Sequence, residues 1–443
     1  MKIFLTNKTK VDGVPNYDFY KLFYKYYVST VSQIKKSEVL HLPSPFVDIN
    51  NFEAKDRVGV LETPNLYSSV LNIFSPEIVH VLSHLSHILR PENNHEDSIV
   101  VINWIDFTGL SWESLNMLFK DFAGKILVDD TFESCPLRNN AMEQLLFDSK
   151  YNTDKVAFLT NCPRKDLTVK DGIHYRDNWL HLTLTYDSIM YKDLADGSVI
   201  QYIDDEEALL DYDRKECIMF SLNGHSTNMR MATIVSLHHA GVTSKENHFM
   251  YSLCEESRHN HIMIRFLDHI GVYEDMGMDI AEKYVNDLGI PKRLVGDVGD
   301  GRRKDFFIQK DWWANTFYNL NVDTNQQYYF DNWVNISEKW MKQILYLTPG
   351  ININEYTGLE QHHKDLGFKG YDKFWDHSYD SIEDPFEKVI KVTDVIKSLK
   401  KPTIAEWSEM CDIAKYNKNY FITQHIPSLK QSLNSVFQQI LAQ

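Results

Sequence analysis

Four short apolar runs punctuate the chain between polar turns: Ser98 to Ile105 (SIVVINWI), Lys125 to Val128 (KILV), Val156 to Thr160 (VAFLT) and Cys217 to Leu222 (CIMFSL). Runs of this length without polar alternation suit strands buried on both faces. Segments with helical spacing lie between them, such as Met117, Leu118 and Phe122 before the second run and Ala141 to Phe147 after it. Strand alternating with helix predicts an α/β fold built on parallel sheets. Met1 to Leu5 reads as a first strand. Asn228 to His239 (NMRMATIVSLHH) has a helical pattern, and Gly241 follows where a left-handed closing residue is wanted. In the last segment, Leu429, Leu433, Val436, Phe437, Ile440 and Leu441 fall on one stripe, which predicts an amphipathic closing helix over Pro427 to Leu441.

A length of 443 residues exceeds one ordinary core, so two domains are expected. The charged stretch from Asp204 to Glu216 precedes a fresh strand and helix and marks the expected boundary. The expected division is 1–212, 213–400 and a helical segment 401–443. With 43% hydrophobic and 13% aromatic residues, the chain has enough apolar surface for real cores. Forty-six Lys and Arg against 62 Asp and Glu give a net charge of −16, which disfavours general nucleic-acid binding but leaves room for a local phosphate pocket. Cys135, Cys162, Cys217, Cys254 and Cys411 are scattered and show no paired spacing, so neither a disulfide framework nor a zinc knuckle is indicated. The amino-terminal apolar stretch meets polar Thr6-Asn7-Lys8 too soon for a secretion signal, and no run of about 18 uncharged apolar residues occurs. A soluble protein of the cytoplasm is expected.

The most informative segment runs from Val334 to Pro349. Ser337 can cap a helix whose body passes through Trp340, Ile344 and Leu347 and which Pro349 ends. Glu338 and Lys339 then occupy its first turn. Free backbone N–H groups, the helix dipole and a lysine make a small anion site suited to a diphosphate, and the neighbouring carboxylate suits a ribose hydroxyl pair. The same Ser-Glu-Lys triplet also serves as an ordinary capped, solvated helix start. Further on come Leu366-Gly367-Phe368 and Asp376-His377-Ser378-Tyr379-Asp380.

Taken together, this order resembles the bacterial and phage proteins related to the alpha-1,3-fucosyltransferases. Their C-terminal half carries a Thr/Ser-Glu-Lys helix, a Leu-Gly-Phe turn and an acidic Ser-Tyr-Asp segment. A second match is Ser221 to Arg230 (SLNGHSTNMR), similar to the family's strand, Asn-containing loop and arginine at a helix start. The resemblance spans roughly Arg214 to Val392 and implies a nucleotide-sugar glycosyltransferase with two facing Rossmann-like domains, the GT-B arrangement. It implies that Arg230 and Lys339 bind the donor diphosphate, with Asn223 and Ser337 beside them, Glu338 on the ribose and Asp323 on the nucleotide side. A guanidinium in a first helical turn after a strand suits that task physically. The chain departs from the family pattern at Asp323, one methylene short of the usual glutamate. It also departs at Trp340, Met341 and Gln343, and at Asn354, where glycine is frequent.

Transfer to a hydroxyl also needs a base. The run Lys125 to Asp130 ends in two acids followed by Thr131-Phe132-Glu133, at the strand end where open α/β sheets place their ligands. Glu133, then Asp130, are the candidates, resembling the family's acidic loop after this strand; Asp106 and Glu113 come next. Acids capping the following turn would look the same. Asp211-Tyr212-Asp213 has the form that chelates a metal nucleotide in the other major glycosyltransferase fold, but such tripeptides arise readily in an acidic chain. The pairs His238-His239, His259/His261 and His362-His363 lack metal-ligand spacing. No essential metal or cofactor is expected, the nucleotide diphosphate sugar being a co-substrate, since Arg230, Lys339 and helix starts suffice to neutralise the leaving group. Gly296 to Gly301 with Lys292, Arg293, Arg302, Arg303 and Lys304 lacks Walker spacing and reads as a loop near the cleft.

The expected activity is metal-independent, inverting transfer of a sugar from a nucleotide diphosphate donor to a hydroxyl acceptor, most simply a glycan. Two alternatives stay open. One is a phage-type enzyme acting on hydroxymethylated DNA bases, which would need a basic face beside the cleft. The other is a catalytically silent binding or structural protein of the same fold.

Overall fold

The computed structural model describes residues 2–6, 38–41, 96, 98–103, 122–130, 156–160, 173–175, 206–221, 223, 228–246, 248–253, 260–272, 279–289, 310–322, 338–354, 357–429, 431 and 435. The chain divides into two compact units, 1–188 with 426–443, and 189–425. Each is built on its own parallel sheet.

The first unit holds β1 (Lys2–Thr6), β2 (Glu38–His41), β3 (Ile99–Asn103), β4 (Lys125–Asp130), β5 (Val156–Thr160) and β6 (Ile173–Tyr175). They lie in the order β2-β1-β3-β4-β5-β6, every neighbouring pair parallel. The apolar runs read from sequence coincide with β3, β4 and β5, and Ile99, Val100, Ile126 and Leu127 are buried. Because β2 lies on one side of β1 and β3 on the other, the strand order reverses between β1 and β3, where such sheets open a crevice at their carboxyl edge.

The second unit contains α1 (Glu206–Leu210), β7 (Cys217–Ser221), α2 (Asn228–His239), β8 (Phe249–Tyr251), α3 (Asn260–His269), α4 (Asp279–Leu288), α5 (Lys310–Asn315) and β9 (Thr316–Val322). It continues with α6 (Glu338–Leu345), β10 (Gly350–Ile353), α7 (Leu359–Asp365), α8 (Pro385–Ser398) and α9 (Ile404–Tyr420). Its sheet runs β10-β9-β7-β8, again all parallel. Every residue of β9 and β10 is buried, as in strands covered on both faces, the asparagines among them included. The chain steps from β7 to β8 in one direction and from β9 to β10 in the other. With right-handed crossovers, α2 and α6 therefore cover opposite faces. The helix contacts agree, α2 packing on α8 and α6 on α9.

Local chemistry sets the helix boundaries. Residues 229–237 of α2 are all buried, as befits a helix apolar on every side, and Thr393 Oγ1 of α8 donates to Ser236 Oγ of α2 at 2.8 Å. Gly241 ends α2 in the left-handed region (φ 71°), letting the Val242 N–H reach the Leu237 carbonyl at 2.8 Å, the closure expected from sequence. Asp384 caps α8, and Thr403 with Glu406 forms a reciprocal capping box on α9. Lys215 is buried, donating from Nζ to the carbonyls of Leu209 (2.8 Å) and Trp313 (3.0 Å), and loss of solvation pulls its pKa down to about 7. The indole of Trp407 on α9 donates to the Leu210 carbonyl at 2.8 Å, tying that helix to the end of α1.

One sequence expectation needs correction. The helix expected to pass through Leu347 does not reach it. It ends at Leu345, and Leu347 itself takes the left-handed conformation (φ 54°) while the Thr348 N–H bonds the Gln343 carbonyl at 2.9 Å. A buried leucine thus fills a position usually given to glycine, because its side chain packs against Trp313 and Tyr346 in the core. Of the closing segment, residues 426–429, 431 and 435 are helical. Among the described residues no helix is long and apolar enough to cross a membrane.

Candidate functional site

Strand order in the second unit also reverses, between β7 and β9, and open α/β sheets place their ligands at the carboxyl edge of such a reversal. The loop after β7 leads to α2 and the loop after β9 leads to α6. The two helices cover opposite faces of the sheet.

Arg230 sits in the first turn of α2. It is 1% exposed, and its Nε donates to the carbonyl of Val322, the last residue of β9, at 3.0 Å. The guanidinium therefore ties the first turn of α2 to the end of β9. Asn223, just past the end of β7, is fully buried; its N–H donates to Ser252 Oγ (3.0 Å) and its side-chain amide to Ser221 Oγ (3.1 Å). Lys339 is half-buried in the first turn of α6 beside the buried Trp340, and Glu338 begins that helix. Ser337, Asp323 and Glu133 lie outside the described residues. So do Asp106, Glu113 and the loop 292–304. Asp130 ends β4 in the first unit. Of the residues singled out from sequence, Asn223 follows β7, Arg230 lies in the first turn of α2, and Glu338 and Lys339 lie in the first turn of α6, the helix that follows β9 in the chain.

Behind this edge lies a buried polar network that sequence reasoning missed. Asn321 on β9 donates to Asn352 Oδ1 on β10 (3.2 Å), and Asn352 donates to Glu360 Oε1 on α7 (3.4 Å). The Tyr379 hydroxyl meets the same oxygen at 3.4 Å, and His377 Nδ1 lies 3.7 Å from Glu360 Oε2. Burial, reinforced by the nearby Asp380 carboxylate, pushes the Glu360 acid from 4.5 up to about 8, with the Asn352 hydrogen bond opposing. Burial likewise holds His377 below its usual value, against the pull of Asp372. The signal in the sequence was the asparagine spacing in β9 (TFYNLNV) and β10 (GINI), amides inside strands that are otherwise apolar.

The acidic segment 376–380 proves to be a brace. Both carboxylate oxygens of Asp380 accept from the first turn of α7, the N–H groups of Leu359 and Glu360, at 2.9 Å each. Asp376 accepts from the Ser378 hydroxyl and backbone and pairs with Lys391 at 2.9 Å, which holds its carboxyl down to about 2. The Leu366-Gly367-Phe368 turn closes α7, Gly367 at φ 98° allowing the Phe368 N–H to reach the His363 carbonyl at 3.1 Å. His363 is buried, so its pKa lies well below the usual imidazole value, and it stacks on Trp340 of α6 with ring centroids 4.3 Å apart. Asp211 caps a single 3-10 turn by accepting the Asp213 N–H, and His238 and His239 bond Thr243 and Tyr284. Among the described residues no three His, Cys, Asp or Glu side chains are grouped to hold a metal ion.

No family model matches the chain, and no curated protein matches it. Among solved structures it is similar to a chain of the glycosylation-associated protein (Gap123) complex from Streptococcus agalactiae, with 9% identity and a TM-score of 0.36 over 83% of this chain and 60% of that one. It is also similar to a chain of the GtfA/B complex, with 10% identity and a TM-score of 0.35 over 84% of this chain and 62% of that one. The chain therefore spans about three fifths of the length of these neighbours. What it has in its own right is an α/β architecture of two parallel sheets, each with a reversal of strand order.

Proposed function

We propose that the chain is a glycosyltransferase of GT-B type that moves a sugar from a nucleotide diphosphate donor to an acceptor hydroxyl without an essential metal. The observation that carries this reading is the reversal of strand order between β7 and β9, with Arg230 and Lys339 in the first turns of the helices that follow these two strands; the crevice such a reversal opens is taken as the donor site. Two cationic side chains and two helix N-termini at one sheet edge suit a diphosphate, and the partial positive charge of each helix start adds to theirs. Asn223, Asp323, Ser337 and Glu338 would complete the donor side.

In the reaction the acceptor oxygen bonds to the anomeric carbon as the bond from that carbon to the diphosphate oxygen breaks, with inversion. The hydroxyl proton goes to a carboxylate, and the diphosphate keeps the bonding electron pair, its charge met by Arg230 and Lys339. Asp130 ends β4 and Glu133 comes three residues later in the sequence, while Asp106 comes three residues after β3, which borders that sheet's own reversal point. All three are therefore candidate bases. A glycan is the acceptor this reading favours, the charge of −16 weighing against duplex DNA.

A second reading is favoured by one observation: Arg230 is 1% exposed and its Nε is engaged by Val322. On that reading Arg230 is structural and the fold serves binding without turnover. A thermal-shift screen against UDP, GDP, ADP and CMP sugars, followed by assay of released nucleotide, separates the two. Stabilisation by a nucleotide sugar with turnover supports the transferase. Stabilisation without turnover supports the silent protein, and no stabilisation by any of them refutes the donor site.

A further inference from the structure

Glu360 touches both arms of the crevice through short chains of contact. Toward Arg230, the Glu360 carboxyl accepts from Asn352, Asn352 accepts from Asn321, and the next residue along β9 is Val322, whose carbonyl holds the Arg230 Nε at 3.0 Å. Toward Lys339, Glu360 lies in the first turn of α7, and one turn later His363 stacks on Trp340, the residue after Lys339 in α6. Phe368, at the close of α7, meets the other side of Trp340 edge-on at 4.6 Å.

We propose that Glu360 is a positioning residue of the diphosphate site: its carboxyl group ties the end of β9, which holds Arg230, to α7, which holds the first turn of α6 and Lys339. The inference rests on the reading of Arg230 and Lys339 as diphosphate ligands. An acid serves here because one oxygen accepts from Asn352 while the other faces His377, so a proton can be shared with the imidazole. A second negative charge beside Asp380 would be repelled. The charged and titratable groups facing Glu360 are Asp380, His377 and Tyr379 from the 376–381 segment, Lys364 of α7, and Asp372 and Tyr371 from the turn beyond it. The strands β9 and β10 present uncharged asparagines. Loss of the Glu360 proton at alkaline pH therefore loosens α7 and, through Trp340, the start of α6.

The test uses the full-length chain, with UDP, GDP and ADP as probes, and Glu360→Ala and Glu360→Gln as variants. Two readouts are taken: nucleotide affinity by calorimetry from pH 7 to 9, and hydrogen-exchange protection of the α6 and α7 amides without ligand. Wild-type affinity is expected to fall across that range. E360A is expected to bind at least tenfold more weakly at pH 7 and to lose protection in the first turn of α6. E360Q should keep wild-type affinity and protection at pH 7 and retain both at pH 9. If wild type binds a nucleotide with pH-independent affinity, or E360A binds as well as wild type, the positioning role is overturned and the donor site stands. Should wild type bind none of the three, the donor site fails, and exchange still decides the structural tie: unchanged α6 protection in E360A overturns it. If E360A does not fold, the comparison of E360Q with wild type at pH 9 decides, equal loss of α6 protection being the refuting result.

Discussion

Replacing Glu360 by Gln should stabilise the protein, and by more as the pH rises. The native state holds the Glu360 proton up to about pH 8, whereas an unfolded glutamate releases it near 4.5. Between those values the folded chain carries the extra proton, so wild-type stability declines with rising pH by roughly 1.4 kcal/mol per unit from this group. At pH 7 the accumulated cost is on the order of 3 kcal/mol, reaching about 5 kcal/mol above pH 8. Glutamine keeps an oxygen for Asn352 and Tyr379, offers an N–H to His377, and has no proton to lose. Urea unfolding followed by tryptophan fluorescence suits the measurement, because Trp312, Trp313, Trp333, Trp340, Trp375 and Trp407 all lie within 189–425. The stability difference between variant and wild type should be small at pH 5, grow through pH 7 and level off above pH 8. A difference that stays constant from pH 5 to 9, or a variant less stable than wild type throughout, would refute the assignment of a neutral buried acid.

Further outcomes follow from packing. A side-chain carbon at Gly350 would overlap the Gln343 amide, which itself donates to Asn319 Oδ1 at 2.8 Å, so Gly350→Ala should cost about 1–3 kcal/mol. Adding Gln343→Ala removes the overlapped group, so the double variant should lose less than the sum of the single losses by chemical denaturation; strict additivity would contradict the contact. Leu347→Gly relieves a left-handed leucine, worth about 1 kcal/mol, but empties a core position, so thermal unfolding should show a net loss of roughly 2 kcal/mol. A gain in stability would mean that backbone strain outweighs burial there. Thr403→Ala removes the capping box of α9 and should cost about 1 kcal/mol in the same assay.

The strands were legible because their information is local. Val156 to Thr160 and Cys217 to Ser221 are apolar runs bounded by polar turns, and no other element is needed to recognise them. The closure of α2 at Gly241 was legible for the same reason, a left-handed position announcing itself by residue type. The end of α6 was not, because Leu347 is held in an unfavourable backbone region by tertiary packing that no window of sequence displays. The segment around Asp380 was singled out as part of a motif, yet its carboxylate serves α7, twenty residues upstream. Glu360 went unnoticed because its environment comes from four separate segments: Asn321, Asn352, His377 with Tyr379, and its own helix. Arg230 and Lys339, more than a hundred residues apart in sequence, lie in the helices that follow β7 and β9, which the strand order β10-β9-β7-β8 makes neighbours.

Calorimetric titration of wild type and Lys339→Ala with the nucleotide diphosphate sugar that most stabilises the wild-type chain bears most directly on the donor site. Loss of one charge-assisted contact to the diphosphate should weaken binding by ~1.5–3 kcal/mol, about ten- to a hundredfold, with the variant folding as wild type does. Equal affinity in the two proteins would place the diphosphate elsewhere and remove the crevice at the β7/β9 reversal as the donor site.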